Sequence, residues 1–197
     1  MMNENDIFRI RHNKSAPAKG RILIAEPFLR GVHFERSVVL LVEHDKVSTF
    51  GLTVNKPTRL VLNDYFPAIK EVQKIPIYLG GPVNHTRVFF IHTLGDLIPG
   101  SQLITDSLYF DGDLNTLLSY IVQNENLIDE TKFFLGYSGW TKGQLAREIE
   151  RDSWFVSGAH HNHILQAKDE SFWRDSLSIL GKKYRIWVNF PKNPMLN

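Results

Sequence analysis

Residues 136–145 read Gly-Tyr-Ser-Gly-Trp-Thr-Lys-Gly-Gln-Leu, and they follow the apolar run Phe133-Phe134-Leu135. The apolar run predicts a buried strand, and the residues after the third glycine have a helical pattern. Three glycines within eight residues allow positive φ angles or the close approach of another group. We therefore expect a sharp turn from strand to helix here, and such turns often bind ligands in α/β proteins.

This turn contains a candidate nucleophile, Ser138, but it lacks a complete catalytic motif. A nucleophile elbow requires Gly-x-Ser-x-Gly, whereas Trp140 stands at the place of the second glycine. The glycine patterns of phosphate-binding loops are missing as well. Thr141 and Gln144 have the spacing of a capping box, so helix capping explains them as well as a function does. The sequence therefore assigns no catalytic residue.

The composition indicates a globular chain without a strong electrostatic field. Its 197 residues suit one large domain or two small ones. Hydrophobic residues make up 43% and aromatic residues 12%, which is ample for a packed core. A net charge of only +2 argues against direct binding to nucleic acid or to acidic membranes. The lack of cysteine excludes disulfides and thiolate metal sites.

The sequence contains no recognisable targeting or spanning segment. Residues 1–6 carry acidic side chains and lack the apolar centre of a secretory signal. No run approaches the roughly 18 apolar residues that a membrane span requires. These features predict a cytoplasmic protein.

We expect residues 1–19 to form a polar N-terminal arm and residues 20–197 to form a single domain. The domain ends in an aromatic tail at residues 184–191. An aromatic tail is costly to leave in water, so it should pack either on the domain or on a second copy of the chain. The second alternative would make the protein a homo-oligomer.

Two further turns are candidates for ligand binding. Asn55-Lys56-Pro57 ends a predicted strand, and Lys56 would there either neutralise a bound anion or remain solvated. Gly80-Gly81-Pro82 follows another strand and predicts a tight, rigid turn that exposes backbone N–H groups. A tight turn without any ligand is the alternative interpretation.

Histidines cluster at 160, 161 and 163, and those at 160 and 163 could share a helical face, which is a weak indication of a metal site. No acidic side chain stands next to them to orient their rings. We therefore predict neither a metal nor a cofactor.

Several segments, taken together in order, resemble the YqgE/AlgH family of bacterial proteins. They read GRILIAEP at 20–27, RSV at 36–38, GLTVNKP at 51–57, YLGGPV at 78–83 and GYSGW at 136–140, followed by GQL and a glutamate at 148. The resemblance covers roughly residues 20–165. One departure is Gly31-Val32, which stands where the family usually has an acidic residue and a proline.

The resemblance implies an α+β fold with mixed, strongly coiled and partly barrel-like β-sheets and flanking helices. It implies no settled activity and no cofactor. The AlgH name is associated with regulation of alginate production, which implies regulation of transcription. Since the sequence has no helix-turn-helix signature, that regulation would run through a protein or small-molecule partner.

Three functions remain open from the sequence. The first is a regulatory module that binds a small molecule or a protein, the second is a hydrolase or transferase with a site at residues 136–148, and the third is a scaffold without a ligand. In the first, the three turns line one cleft. Its predicted residues are Asn55, Lys56, Pro57, Gly80, Gly81, Pro82, Gly136, Tyr137, Ser138, Gly139, Trp140, Gln144 and Glu148.

Overall fold

The computed structural model describes residues 11–158 and 160–191, and over these residues the chain forms ten strands and five α-helices. The strands are β1 (Ile22–Ala25), β2 (Val38–His44), β3 (Ser48–Thr53), β4 (Pro57–Val61), β5 (Pro76–Leu79), β6 (Val83–His92), β7 (Gln102–Thr105), β8 (Leu108–Phe110), β9 (Thr131–Thr141) and β10 (Trp154–Ser157). The helices are α1 (Leu114–Gln123), α2 (Gln144–Glu150), α3 (His161–Gln166), α4 (Glu170–Ile179) and α5 (Lys182–Trp187).

The strands belong to one mixed sheet in which β9 is the central strand. The main order is β10-β1-β2-β3-β9-β6-β8-β7, and β4 pairs with β5 beside it. One edge of β9 pairs in parallel with β5 at residues 133–135 and antiparallel with β3 at residues 138–141. Its other edge pairs antiparallel with β6. The predicted α+β fold is confirmed, although the sheet is open and does not close into a barrel.

Both faces of the sheet are covered, because the central strands bury alternate side chains on opposite sides. On one face, Phe134 and its neighbours pack beneath α3, α4 and α5. On the other face, Phe133 packs with α1 at one end of the sheet. Trp154 packs with α2 at the other end of that same face. The chain therefore forms helix layers on either side of one sheet.

The predicted turn at residues 136–140 is wrong, because β9 continues through it to Thr141. Pairing with β3 keeps residues 138–141 extended. The chain turns only at Lys142-Gly143, where Gly143 has a φ of +70° and precedes α2. Gln144 accepts the Thr141 N–H at 3.1 Å, which is one half of the predicted capping box.

The segment that follows β4, around Asn63, contains only short 3-10 turns. The Asn63 amide donates to the carbonyls of Ile69 at 2.7 Å and Val72 at 3.0 Å. It also accepts the Ile75 N–H at 2.9 Å. These bonds satisfy the loop backbone without a helix, as asparagine side chains commonly do in turns.

The C-terminal aromatic residues pack inside the chain. Tyr184 and Trp187 are 5% and 0% exposed, and the Trp187 ring stacks on Phe155 with 5.8 Å between centroids. This is the first of the two packings predicted for the tail, and self-association through it stays a prediction. Within the described ranges, no helix combines the length and apolar character needed to cross a bilayer.

The described part of the N-terminal arm lies against the edge strand β10. The Asn13 side chain donates to the Val156 carbonyl at 2.7 Å and accepts the Val156 N–H at 3.2 Å. The amide thus occupies the place of a neighbouring strand and covers an otherwise open sheet edge. Residues 1–10 of the predicted arm lie outside the described residues.

His92, at the end of β6, is fully buried and held as a neutral ring. Its Nδ1 accepts the Leu94 N–H at 3.2 Å, so the proton lies on Nε2, within 2.9 Å of Ser101 Oγ and 3.1 Å of the Asp111 carbonyl. Burial lowers the pKa of His92 from 6.5 to about 4. Because Nε2 is already protonated, His92 cannot act as a base toward Ser101.

We predict that His92 makes the protein less stable in mild acid. The unfolded chain binds a proton at His92 below pH 6.5, whereas the folded chain does so only near pH 4. The free energy of unfolding should therefore fall by about 3 kcal/mol from this residue between those values. Urea titrations of the wild type and His92→Gln from pH 7.5 to 4 measure it. If the free energy of unfolding changed equally with pH in the two proteins, the lowered pKa of His92 would be contradicted.

Candidate functional site

The predicted glycine turns meet where one segment of chain crosses another. Gly80 and Gly81 connect β5, on one edge of β9, with β6, on its other edge, and they pass directly over residues 136–138. A Cβ on Gly80 would lie 2.2 Å from the Gly136 carbonyl oxygen, and a Cβ on Gly81 would lie 2.2 Å from the Tyr137 carbonyl carbon. Only glycine permits two backbones to approach so closely. Gly136 itself has a φ of +74°.

Backbone hydrogen bonds fix this crossing from three sides. The Gly80 N–H donates to the Leu135 carbonyl at 2.9 Å, and the Gly80 carbonyl accepts the Thr53 N–H at 2.7 Å. The Ser138 hydroxyl is fully buried and also donates to the Gly80 carbonyl, at 3.3 Å. Gly80, Gly81 and Ser138 therefore serve as a junction between β3, β5 and β9. Pro82 is exposed just after it.

The Asn55-Lys56-Pro57 segment adjoins this junction through the backbone. The Lys56 carbonyl accepts the Leu79 N–H at 2.7 Å, and Pro57 pairs with Tyr78 at the start of β4. Lys56 donates its ammonium to the Glu35 carbonyl. The segment is thus tied to neighbouring strands.

Asn55 is 1% exposed and connects three parts of the chain. Its amide oxygen accepts the Val38 N–H at 2.8 Å. Its amide nitrogen donates to the carbonyls of Arg36 at 3.0 Å and Asp169 at 3.1 Å. These bonds join the start of β2 to the start of α4, which gives Asn55 a structural role.

Trp140, Gln144 and Glu148 form a separate cluster further along β9. The Glu148 carboxylate accepts the indole N–H groups of Trp140 at 2.8 Å and Trp154 at 2.9 Å. It also accepts an amide hydrogen of Gln144 at 3.0 Å. Four residues of strand separate Trp140 from Gly136, a distance of roughly 13 Å. The carboxylate orients two indoles under α2.

Tyr137 lies on the other face of the sheet from Trp140, because their positions differ by an odd number of residues. Its ring packs against Phe50 with 4.9 Å between centroids and against Phe89 with 5.8 Å. Gly139 is exposed between the two. Two aromatic faces of one cleft were predicted here, but these rings contact opposite cores.

The structure therefore brings residues 55–57, 80–82 and 136–138 together and leaves Trp140, Gln144 and Glu148 apart from them. None of the thirteen residues lines any of the three cavities described by the structure at Lys132, at Ser176 and at Lys142. In the described part of the chain, neither a histidine nor a carboxylate contacts the Ser138 hydroxyl. Ligand binding at these residues stays a prediction, and Ser138 lacks the base that a nucleophile requires.

A cavity of about 620 Å³ opens instead at the other end of β9, beside Lys132. Strands β5 and β9 form one wall, and the linker between α3 and α4 forms another. The lining residues include Ile75, Tyr78, Asp129, Thr131, Lys132, Phe133, Gln166 and Lys168. Its size lies within the range of small-molecule sites.

Lys132 is the unusual residue of this cavity, since its charged side chain is only 3% exposed. Its ammonium donates to the carbonyls of Leu165, at 3.2 Å, and Ala167, and it lies 3.8 Å from the centre of the Tyr78 ring. The two carbonyls end α3, where the helix dipole favours a cation. Among the described residues, no carboxylate pairs with Lys132.

Burial, with a smaller contribution from the nearby charge of Lys168, lowers the pKa of Lys132 from 10.5 to about 7. The carbonyls and the Tyr78 ring act in the opposite direction, because they favour the ammonium. Burial also raises the pKa of the Tyr78 hydroxyl, with a smaller contribution from Asp169. The cavity thus holds a neutral phenol beside a cation that gives up its proton easily.

Sequence reasoning missed Lys132, although a signal was present. The residue directly precedes the apolar run of the central strand, between Thr131 and Phe133. A lysine in a strand that is covered on both faces is rarely solvated, and fully buried lysines are uncommon. The histidines predicted as a weak metal site do not add such a signal. The rings of His160 and His163 lie 6.0 Å apart, and the described residues contain no metal-binding group of three.

These features define an α+β domain with an open mixed sheet. A glycine pair crosses the central strand of the sheet, and helices cover both of its faces. A family model described as AlgH-like matches residues 22–185, and the chain belongs to this family. The resemblance inferred from the ordered motifs is thereby confirmed.

Relatives and solved structures agree with this assignment. UPF0301 proteins from Parabacteroides distasonis and Bacteroides fragilis are 50% and 42% identical, each over 100% of both chains. A crystal structure of a Corynebacterium diphtheriae protein has a TM-score of 0.75 at 25% identity and covers 90% of this chain and 95% of its own. The solution structure of Pseudomonas aeruginosa AlgH has a TM-score of 0.69 at 26% identity, with 91% and 98% coverage. Family membership therefore establishes the fold and leaves the biochemical function to be argued from the site.

The backbone crossing generates a prediction about its glycines. Gly80→Ala should lower the free energy of unfolding by at least about 3 kcal/mol, because the new methyl group meets the Gly136 carbonyl oxygen. Gly139→Ala, on the crossed strand β9, is the matched control. Its nearest obstacle is the Tyr137 ring at 3.3 Å, a side chain at a partly exposed site. Urea denaturation of both variants measures the difference, and similar losses in the two would contradict the crossing.

Proposed function

We propose that this protein is a regulatory binding module whose ligand is a small molecule with an anionic group, bound in the cavity at Lys132. One observation carries this proposal. An ammonium group is buried beside a cavity of about 620 Å³ without a carboxylate partner in the described chain. A buried charge without a counter-ion is expensive, and an anion in the cavity would lower that cost.

The remaining lining residues support an organic anion rather than a bare inorganic one. Ile75, Phe133 and Tyr78 supply an apolar wall, while Gln166 and Thr131 supply hydrogen-bonding groups. Two lysines, Lys132 and Lys168, outweigh the single carboxylate of Asp129 among the charged lining residues. Apolar walls with a few polar groups are typical of small-molecule sites.

The position of Lys132 also suggests how binding could be signalled to a partner protein. Its ammonium holds the carbonyls of Leu165 and Ala167, which belong to the connection between α3 and α4. An anion in the cavity competes with those carbonyls for the ammonium hydrogens. Binding would then alter this connection and the surface next to it, so any effect on transcription would be indirect.

A comparison of charged and uncharged ligands tests the proposal. Adenosine monophosphate and benzoate, as probes of two anionic groups, are compared with their uncharged counterparts adenosine and benzamide. We expect thermal stabilisation by at least one anion and none by its uncharged counterpart. Affinity should rise as the pH falls through about 7, because the anion prefers the protonated form of Lys132.

Lys132→Met is the decisive variant, and Lys142→Met is its control. Methionine fills a similar volume without the charge, so the fold should remain within about 1 kcal/mol of the wild type while binding is lost. Lys142 is exposed and lies outside the cavity, so its replacement removes the same charge without affecting binding. Equal affinity in Lys132→Met and the wild type would contradict the proposal.

A further inference from the structure

We propose a second binding site, for an organic ammonium ligand with an apolar body, in the cavity between α3, α4 and the end of β1. This cavity has a volume of about 780 Å³. The lining residues that carry the argument are Ile22, Asp106, Phe172, Asp175, Ser176 and Ile179. The inference rests on other observations than the proposed site at Lys132, although Gln166 and Lys168 line both cavities.

One face of helix α4 packs on the sheet, and another face of the helix forms a wall of this cavity. Trp173 and Leu177 pack the helix against the sheet. Phe172, Ser176 and Ile179, at spacings of four and three residues, line the cavity. Phe172 also packs against the edge of the core. Together with Ile22, the Phe172 and Ile179 side chains provide the apolar surface that an aromatic or aliphatic ligand body would cover.

A hydroxyl at the wall of this cavity has no hydrogen-bond partner among the described residues. Ser176 is 6% exposed, and its hydroxyl makes no hydrogen bond to any described residue. Serine hydroxyls buried in a helix commonly bond to the preceding turn, as Ser178 does with the Arg174 carbonyl at 2.7 Å. The Ser176 oxygen is open to the cavity, since the fully buried side-chain atoms without a partner in the described chain belong to His33, Arg36, Ser37 and Thr53. A ligand N–H group in the cavity would donate to it.

The charges around the cavity select a cation. Three carboxylates line it, those of Asp106, Asp169 and Asp175, against one lysine, Lys168. Asp169 already accepts the Ser171 N–H at 2.8 Å. Asp106 and Asp175 have no hydrogen bond or ion pair with any described residue, so both remain available to a ligand. The described residues offer no group of three metal ligands, which favours an organic ammonium over a metal ion.

Three ligands of similar shape and different charge test this inference. Phenethylamine, phenethyl alcohol and 3-phenylpropionate share the ring and differ in the terminal group. Calorimetric or NMR titration should show the tightest binding for the amine. Asp175→Asn should weaken amine binding about three-fold, and Asp106→Asn with Asp175→Asn about ten-fold. Ser176→Ala should weaken it by a further few-fold because the hydroxyl partner is lost.

Asp96→Asn is the matched control, since Asp96 is exposed and lies outside the cavity. It should bind phenethylamine as the wild type does. Equal binding of the amine and the alcohol, the absence of amine binding, or an unchanged affinity in the double variant would each overturn the inference. Lys132→Met should still bind phenethylamine. A failure of the proposed anion site at Lys132 can therefore be distinguished from a failure of the amine site at Ser176.

Discussion

The contact of Gly80 and Gly81 with the backbone of β9 determines how the sheet is assembled. Because the glycine pair crosses the central strand, β5 can pair with one edge of β9 and β6 with the other. The Gly80 carbonyl also accepts a hydrogen bond from Thr53 at the end of β3. From residue 138 onward, β9 pairs with β3 in place of β5. A side chain at the crossing would separate these strands. The residues that look most like a ligand loop are therefore the ones that the fold requires.

The cavity at Lys132 differs from the glycine crossing, because the buried lysine does not stabilise the fold. An apolar side chain in the central strand would avoid the desolvation of an ammonium group. Residues that reduce stability are commonly tolerated where they contribute to function. The hydrogen bonds from Lys132 to the end of α3 offset part of this desolvation cost. They also connect the ammonium group to the linker between α3 and α4, which lies between the two cavities. Gln166 and Lys168 line both of them.

The resemblance of the ordered motifs implied the fold class. Strands before Asn55, before Gly80 and at residues 133–135 were predicted from the sequence itself, because apolar runs indicate burial. The sequence misplaced the turn at residues 136–140, since glycine signals close approach without revealing whether a ligand or another strand approaches. The crossing depends on contacts between residues about 55 positions apart, which no local pattern shows. The α5 helix was read only as an aromatic tail for a similar reason. Its rings are buried by Phe155 from a distant strand.

The candidate site was harder to predict than the fold. Asn55, Trp140, Gln144 and Glu148 are polar or aromatic residues at turns or strand ends, which is typical of binding sites, but they bond mainly to one another or to the backbone. Lys132 stands just before an apolar run, and its burial is set by a linker more than thirty residues later. Lys132 is distinguished by its buried charge and by the cavity beside it, and only the folded structure shows these two features together.

Titration of Lys132 by NMR tests the account most directly. In protein labelled with ¹³C-lysine, the ε-methylene signal of Lys132 is assigned by its loss in Lys132→Met and followed against pH. We predict a midpoint near 7 in the free protein, and a higher midpoint when an anion is bound. A midpoint near the ordinary value of about 10.4, unchanged by any anion, would contradict a buried cation without a counter-ion.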